Sequence, residues 1–290
     1  MDAAIRKADV LIEALGYIRH FRGRQMVIKL GGSAMEEADA LRSTLQSVVF
    51  LSTVGLRPIL VHGGGKPIDR AMAASGLQPK KILGRRVTDD DTLAIVVRVL
   101  TEEINHGIVR QLRELGGRAA GLHTSMQVLF GDRLLLDGPD GGKIDLGRVG
   151  HVTRADLDLI NDFTQAGVIP VIPSLAHDEH GGWLNVNGDT AAAGVAGQMR
   201  ASKLVLMTDT PGILRDRKDP DSLIGSLTTD GCRQLIRDGV IDSGMIPKVE
   251  ACLDALQAGV GKTHIIDGRL RHSLLLEIFT DTGVGTEIVL

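Results

Sequence analysis

The sequence predicts an α/β protein built around a parallel sheet. A strand, a glycine turn and a helix follow one another twice between residues 26 and 75, first as MVIKL with Gly31-Gly32 and then as PILV with Gly63-Gly64-Gly65. That beat belongs to parallel α/β sheets. It resumes beyond residue 188. Aromatic residues make up only 2% of the chain, so the core must be aliphatic, built from Val, Ile, Leu and Ala. The 290 residues suit one large domain or two modest ones.

In chain order, Ile5, Leu11, Ile12, Leu15 and Ile18 recur at helical spacing and predict an amphipathic helix over 3–20. With no strand before it, such a helix is suited to dock on a neighbour or another subunit. Strand 26–30, helix 39–54, strand 58–61 and helix 67–75 follow. Residues 76–88 read as an irregular basic connector (Lys80, Lys81, Arg85, Arg86) and 89–115 as one long helix. Short β segments fit 118–122, 126–130 and 133–136, with a polar turn from Asp137 to Lys143. Helix 154–166 leads to strand 168–172. The polar run 174–183 (SLAHDEHGGW) is expected to mark a domain boundary, separating 25–177 from 178–290, with 1–24 as an added N-terminal helix. Helix 188–200, strand 203–207, a turn at Thr208–Gly212 and a polar excursion at 216–222 come next. Helices near 229–238 and 246–258, strand 263–266 and a helix near 271–279 close the chain.

Composition excludes several classes of function. No apolar run of eighteen residues exists to span a membrane, and residues 1–24 carry interspersed charges rather than a signal-peptide block, so a cytoplasmic protein is expected. A net charge of −3 gives no general field for polyanions, and scarce aromatics leave no stacking platform for single strands; no nucleic acid is expected. Two cysteines, Cys232 and Cys252, are too few for a disulfide framework or a structural zinc and read as packing thiols. AGVGKT (258–263) imitates a P-loop, but Leu256 stands where the first glycine belongs and the helix precedes the strand. It is an ordinary helix-to-strand connection.

The remaining inventory points to anions. Gly31-Gly32 and Gly63-Gly64-Gly65 end strands and open helices, where bare N–H groups and the helix dipole receive phosphate; either one alone is equally well a tight turn. Two at the same end of one sheet would converge on a single crevice. Lys29, in an otherwise apolar strand beside the first turn, is costly to bury without a negative partner; the alternative is a snorkelling edge lysine. Lys248 sits in a helix first turn behind Pro247, where it opposes the dipole. Asn185, Asn187 and Asp189 fall on one side of an extended segment, although Asp189 is also a natural helix cap. Arg86 could be a surface arginine and Asp89 an N-cap. His177, Asp178, Glu179 and His180 look like a solvated turn rather than a metal site, and no protein-held metal is expected. Neither a Ser-His-Asp order nor a nucleophile elbow is present. Glycine turns, two lysines, an aspartate and an arginine suit phosphoryl transfer, where catalysis is mostly positioning and charge neutralisation.

Over essentially its whole length the chain resembles the acetylglutamate kinases of the amino acid kinase family. The matching segments are VIKLGGSAM (27–35), LVHGGGKPID (60–69), GRRVTD (84–89), GHVT (150–153), LNVNGDTAA (184–192), MTDTPGIL (207–214), GMIPKVEA (244–251), HIIDGR (264–269) and LLLEIFTDTGVGTEI (274–288). The resemblance implies a three-layer αβα sandwich around a mainly parallel sheet, with an N-terminal domain for the amino acid and a C-terminal domain for ATP. It implies phosphorylation of the side-chain carboxylate of N-acetyl-L-glutamate, the second step of arginine biosynthesis. The alternatives are a same-fold kinase for another small acid, such as acetylaminoadipate, or, from a different class, a non-catalytic arginine-sensing module.

Carried over by motif, Lys29 and Lys248 would stabilise the transferring phosphoryl group and Asp189 would hold them in place. Gly64, Gly65, Arg86, Asn185 and Asn187 would bind the acceptor. Gly31 and Gly32, with Asp209-Thr210-Pro211-Gly212-Ile213-Leu214 and Val240-Ile241-Asp242, would bind ATP, and Mg²⁺ would be held mainly by its phosphates. The second glycine turn reads HGGGK where the family usually has HGGGP, so Lys66 adds a charge near the substrate. The ending ALGYIRHFRG of the first helix resembles that of arginine-inhibited hexameric members. It implies a homo-oligomer, a dimer or through that helix a hexamer, and L-arginine as feedback inhibitor in a pocket including Tyr17, Glu277 and Gly285.

Overall fold

Burial separates the central strands from the rest. Met26-Val27-Ile28, Ile59-Leu60-Val61 and Leu204-Val205-Leu206 are apolar at consecutive positions and each is fully buried, the pattern of parallel strands covered on both faces. The structure, a computed structural model, describes residues 1–31, 35–123, 126–138, 141–242, 244–280 and 282–290.

Helix α1 (Asp2–Phe21) precedes β1 (Gln25–Leu30), α2 (Ala38–Thr53), β2 (Arg57–His62) and α3 (Gly65–Ala74). The short strands β3 (Lys81–Ile82) and β4 (Arg85–Arg86) form a hairpin. Then come α4 (Asp90–Arg98), a π-helical turn (Val99–Asn105) and α5 (His106–Glu114). The middle of the chain holds β5 (Ala119–Gly121), β6 (Leu129–Asp137), β7 (Lys143–Ala155), α6 (Leu157–Gln165), β8 (Ile169–Pro173), β9 (Leu175–His177) and β10 (Trp183–Val186). Helix α7 (Gly188–Gln198), β11 (Lys203–Thr208), β12 (Ser226–Thr228), α8 (Thr229–Arg237), α9 (Ile246–Gln257), β13 (Lys262–Asp267), α10 (Ser273–Ile278) and β14 (Thr286–Val289) complete it.

The main sheet has eight strands in the order β12-β14-β13-β11-β1-β2-β8-β5, and its described pairings are parallel except β13 with β14. Alternate residues of each strand face opposite layers. Val27, Ile59, Val61, Leu204 and Leu206 pack with Ile160 of α6, Ala191–Ala193 of α7 and Val249 of α9. Met26, Ile28, Leu60 and Val205 pack with Leu45, Val48 and Leu51 of α2, with Ile108 of α5 and with Leu274 of α10. These are the three layers of an αβα sandwich. A second, four-stranded sheet, β10-β7-β6-β9, closes on itself beside it.

Several elements depart from the sequence reading. The connector 76–88 contains the β3–β4 hairpin, and the expected long helix is interrupted by the π-helical turn. The segments at 126–130 and 133–136 are one strand, β6, and its hairpin partner β7 takes up residues read as turn and helix start. Strands β12 and β14 lie where no strand was expected. Within the polar run 174–183, Leu175–His177 is a buried strand, so His177 is an interior residue stacked on Trp183, with ring centroids 3.8 Å apart, rather than part of a solvated turn. His180 is exposed. Both cysteines are buried, and burial pushes the thiol of Cys232 up to about 11 and that of Cys252 to about 12, which leaves them inert.

Candidate active site

The C-terminal ends of β1, β2 and β8 and the N-termini of α3 and α7 meet in one crevice, where open α/β sheets hold ligands. Asp189, in the first turn of α7, stands at its centre. The helix is capped by its neighbour: Asn187 Oδ1 accepts from the backbone N–H of Asp189 at 2.9 Å and of Thr190 at 3.2 Å. Asp189 is thus not the cap, and its carboxylate is released to receive two lysines. Lys29 Nζ lies 2.9 Å from Oδ1, and Lys248 Nζ donates to Oδ2 at 2.9 Å.

The side chains of Lys29 and Asp189 are 8% and 7% exposed, and that of Lys248 is 23% exposed. Burial would push the Asp189 carboxyl up; the charges of Lys29 and Lys248 outweigh it and hold the group well below the usual carboxylate range. It is therefore ionised near neutral pH. Two ammonium groups against one carboxylate leave an excess of positive charge in a low-dielectric site, where it attracts an anion strongly.

Two cavities meet at this triplet. The first, about 240 Å³, is lined by Lys29, Gly31, Gly64, Gly65, Arg86, Asn185, Asn187 and Asp189, with Ser174 and the hairpin residues Lys81 and Arg85. Arg86 is buried; its guanidinium donates to the Gly65 carbonyl at 3.1 Å and pairs with Asp69 at 2.5 Å, so it is pre-oriented at the cavity wall. Asn185 Nδ2 donates to Thr88 Oγ1 at 3.0 Å. Gly31, read from the sequence as a nucleotide contact, lines this first cavity, and Gly32 lies outside the described residues.

The second cavity, about 510 Å³, is lined by all of Asp209-Thr210-Pro211-Gly212-Ile213-Leu214 and Val240-Ile241-Asp242, and by Met245 and Lys248. Its larger part is apolar and its inner end is cationic. Gly212 has φ +148°, and a Cβ there would approach Thr286 Oγ1 to 2.6 Å, so glycine is required where the loop crosses β14. Asp242 caps the turn into α9, accepting from Gly244 and Met245 N–H at 3.1 Å, and pairs with the exposed Arg217 at the cavity mouth.

The amino acid kinase family profile matches residues 24–267. The chain belongs to that family. It is 45% identical to the acetylglutamate kinase of Heliobacterium modesticaldum over the full length of both chains. Among solved structures it is similar to the N-acetylglutamate synthase of Neisseria gonorrhoeae complexed with coenzyme A and N-acetyl-glutamate, with a TM-score of 0.85 and 28% identity over 98% of this chain. The same synthase complexed with coenzyme A and L-arginine gives 0.81 and 27% over 97%. The chain spans 63% and 65% of those two synthase chains.

Away from the family's crevice, Tyr17 of α1 packs edge-on against Phe279 with centroids 6.0 Å apart. Glu277 is buried two residues earlier; its carboxylate lies 2.6 Å from His264 Nδ1 and accepts from the N–H of Val284 at 2.7 Å and of Gly285 at 3.0 Å. Burial pushes this carboxyl up, and the hydrogen bonds from His264 and the loop bring it below its ordinary value. Lys66 points out of the crevice to Glu36 at 2.8 Å, which also holds Arg70. Sequence reasoning missed Asp69, Ser174 and Arg217. Ser174 follows a strand C-terminal end and Asp69 lies in the motif LVHGGGKPID, so both had a positional signal; Arg217 had none.

Proposed function

We propose that this chain transfers the γ-phosphoryl group of ATP to the side-chain carboxylate of N-acetyl-L-glutamate, forming N-acetyl-L-glutamyl 5-phosphate in the second step of arginine biosynthesis. The observation that carries this reading is the meeting of a small polar cavity and a larger, mostly apolar one at Lys29, Asp189 and Lys248. The name of the full-length relative at 45% identity supports the acceptor.

An acceptor carboxylate is already ionised at neutral pH, so its oxygen attacks the γ-phosphorus without a general base. The bond from that phosphorus to the bridging oxygen breaks, and ADP leaves with the electron pair. The difficulty is bringing two anions together, which preorganised cations and N–H groups relieve. Lys29 and Lys248 take that part from the two sides of Asp189, which keeps their ammonium groups apart and aimed. The N–H groups of Gly64 and Gly65 at the start of α3 face the reacting oxygens, and Arg86 clamps the acceptor's α-carboxylate, with Asn185 and Asn187 beside it. ATP occupies the second cavity. Mg²⁺ would neutralise its phosphates when bound. No cluster of three His, Cys, Asp or Glu among the described residues could hold the ion and Asp189 is engaged by lysines, so Mg²⁺ would rest on nucleotide oxygens and water.

L-Arginine is proposed as a feedback inhibitor at Tyr17, Glu277 and Gly285; support comes from the arginine-complexed synthase and from the proximity of these residues at one end of α10. The exposed apolar side chains of α1 support a homo-oligomer joined through that helix, a hexamer in which the helices of neighbouring dimers interlace. No described helix is long and apolar enough to cross a membrane, in line with a cytoplasmic enzyme. The testing assay supplies Mg-ATP and hydroxylamine, which traps acyl phosphates as hydroxamates, with N-acetyl-L-glutamate, acetylaminoadipate, glutamate and aspartate in parallel. Strongest signal with N-acetyl-L-glutamate is expected. A stronger signal with another acid moves the substrate, and none with any acid removes the kinase reading in favour of an arginine sensor.

A further inference from the structure

The helical stretch beyond the β3–β4 hairpin changes pitch at the crevice. Val99–Asn105 is π-helical, a geometry that recurs as single turns at functional positions. Asn105 ends that turn, is fully buried, and uses one nitrogen twice: Nδ2 donates to the Val171 carbonyl at 2.9 Å and lies 3.0 Å from His62 Nε2. The Val171 oxygen fixes which way the amide faces, because an amide oxygen there would be repelled. Nδ2 therefore presents an N–H to His62 as well, and Nε2 must accept it. The ring's own proton is then on Nδ1, 3.3 Å from the Gly63 carbonyl oxygen.

That carbonyl shares a peptide plane with the N–H of Gly64, and across a trans peptide the two point in opposite directions. Holding the Gly63 oxygen therefore fixes where the Gly64 N–H points, at the cap of α3 on the wall of the first cavity. The π-helical turn also sets the space: a Cβ on Gly64 would lie 2.8 Å from both Leu100 Cδ2 and Ile104 Cδ1. Burial pulls His62 down to about 4, with the bond to Gly63 opposing and His123 assisting, so the ring is neutral at pH 7.

We propose that Asn105 and His62 are positioning residues for the acceptor turn. The chain from Val171 O through Asn105 Nδ2 and the His62 ring to Gly63 O sets the peptide plane that aims the Gly64 N–H at the acceptor's reacting oxygens. The inference rests on the acceptor role proposed for the first cavity.

The test uses the full chain. An asparagine places its amide nitrogen where His Nδ1 stands, and a glutamine where Nε2 stands. His62→Asn is expected to keep the KM for N-acetyl-L-glutamate within about threefold of wild type, while His62→Gln and Asn105→Leu raise it about tenfold or more, the loss of one well-placed hydrogen bond. The KM for ATP should stay within about twofold in all three, as no shared contact with the nucleotide is lost. In wild-type protein labelled with ¹⁵N-histidine, NMR should find His62 protonated on Nδ1 alone at pH 7. Protonation on Nε2 overturns the inference, whatever the variants' folding. Wild-type turnover with an acceptor KM shared by all three variants also overturns it and leaves the acceptor reading standing; a wild type that never turns over N-acetyl-L-glutamate removes that reading and this role with it.

Discussion

Asp189 meets two opposed demands. Its burial raises the free energy of the ionised carboxylate, and the two lysines lower it by more. Replacing it by asparagine leaves Lys29 and Lys248 facing each other without their shared counter-charge. Asp189→Asn is expected to lower kcat by about 100-fold or more, as losing a preorganised electrostatic group does, and to destabilise the fold by about 3 kcal/mol, as breaking a buried ion pair does; hydroxamate rates and urea unfolding measure the two. The pH sign follows from the lowered carboxyl. Its folded value lies below the unfolded one, so its contribution is present above the ordinary aspartate range and is lost as pH falls through and below it. His62 acts at higher pH. Its folded value of about 4 lies below the ordinary histidine value of 6.5, so the unfolded chain binds the extra proton between them. Stability from this residue is complete above pH 6.5 and falls by about 1.4 kcal/mol per pH unit on the way down. Urea midpoints at pH 7 and pH 5 should therefore differ less in His62→Asn than in wild type; equal differences would contradict the account.

Among the elements, α7 and α1 make the clearest predictions. Asn187 supplies the cap of α7 from within the crevice, so Asn187→Ala should cost about 1 kcal/mol of stability, read by thermal unfolding, and lower activity by loosening Asp189. Helix α1 leaves Val10, Leu11 and Ile12 at 63%, 69% and 70% exposure. A chain lacking residues 1–22 should have a smaller mass by light scattering and weaker inhibition by L-arginine; unchanged mass and inhibition would refute the role given to this helix. The strands of the main sheet were legible because burial on both faces writes a continuous apolar run. Strand β7 was not: Lys143, Asp145, Arg148 and His151 interrupt its apolar positions, and its order comes from its long antiparallel pairing with β6. The π-helical turn left no mark, since its residues alternate as an α-helix's would. Asparagine and aspartate both cap helices, so only the observed bonds assign the cap to Asn187.

At the scale of the molecule, the β1–β11 pairing joins the two halves of the chain into one sheet, which places both cavities along a single edge. Lys29 and Asp189 could each be singled out in the sequence, Lys29 as an expensive lysine beside a glycine turn and Asp189 as one of three polar residues at alternate positions. Their meeting could not, because it depends on β1 lying next to β11 and on α7 starting against the second glycine turn, where Gly188 abuts Gly63. Arg217 and Asp69 act through partners brought together by tertiary packing, which no local spacing encodes. The lysine–aspartate–lysine triplet is proposed as the place where the phosphoryl group moves between the cavities. Single-turnover rates of Lys29→Ala with Mg-ATP and saturating N-acetyl-L-glutamate, alongside its affinity for ATP, test this most directly. A rate lower by about 100-fold or more is expected, with ATP affinity nearly unchanged, because Lys29 lines the first cavity and not the second, where ATP is proposed to bind. A wild-type rate would contradict it.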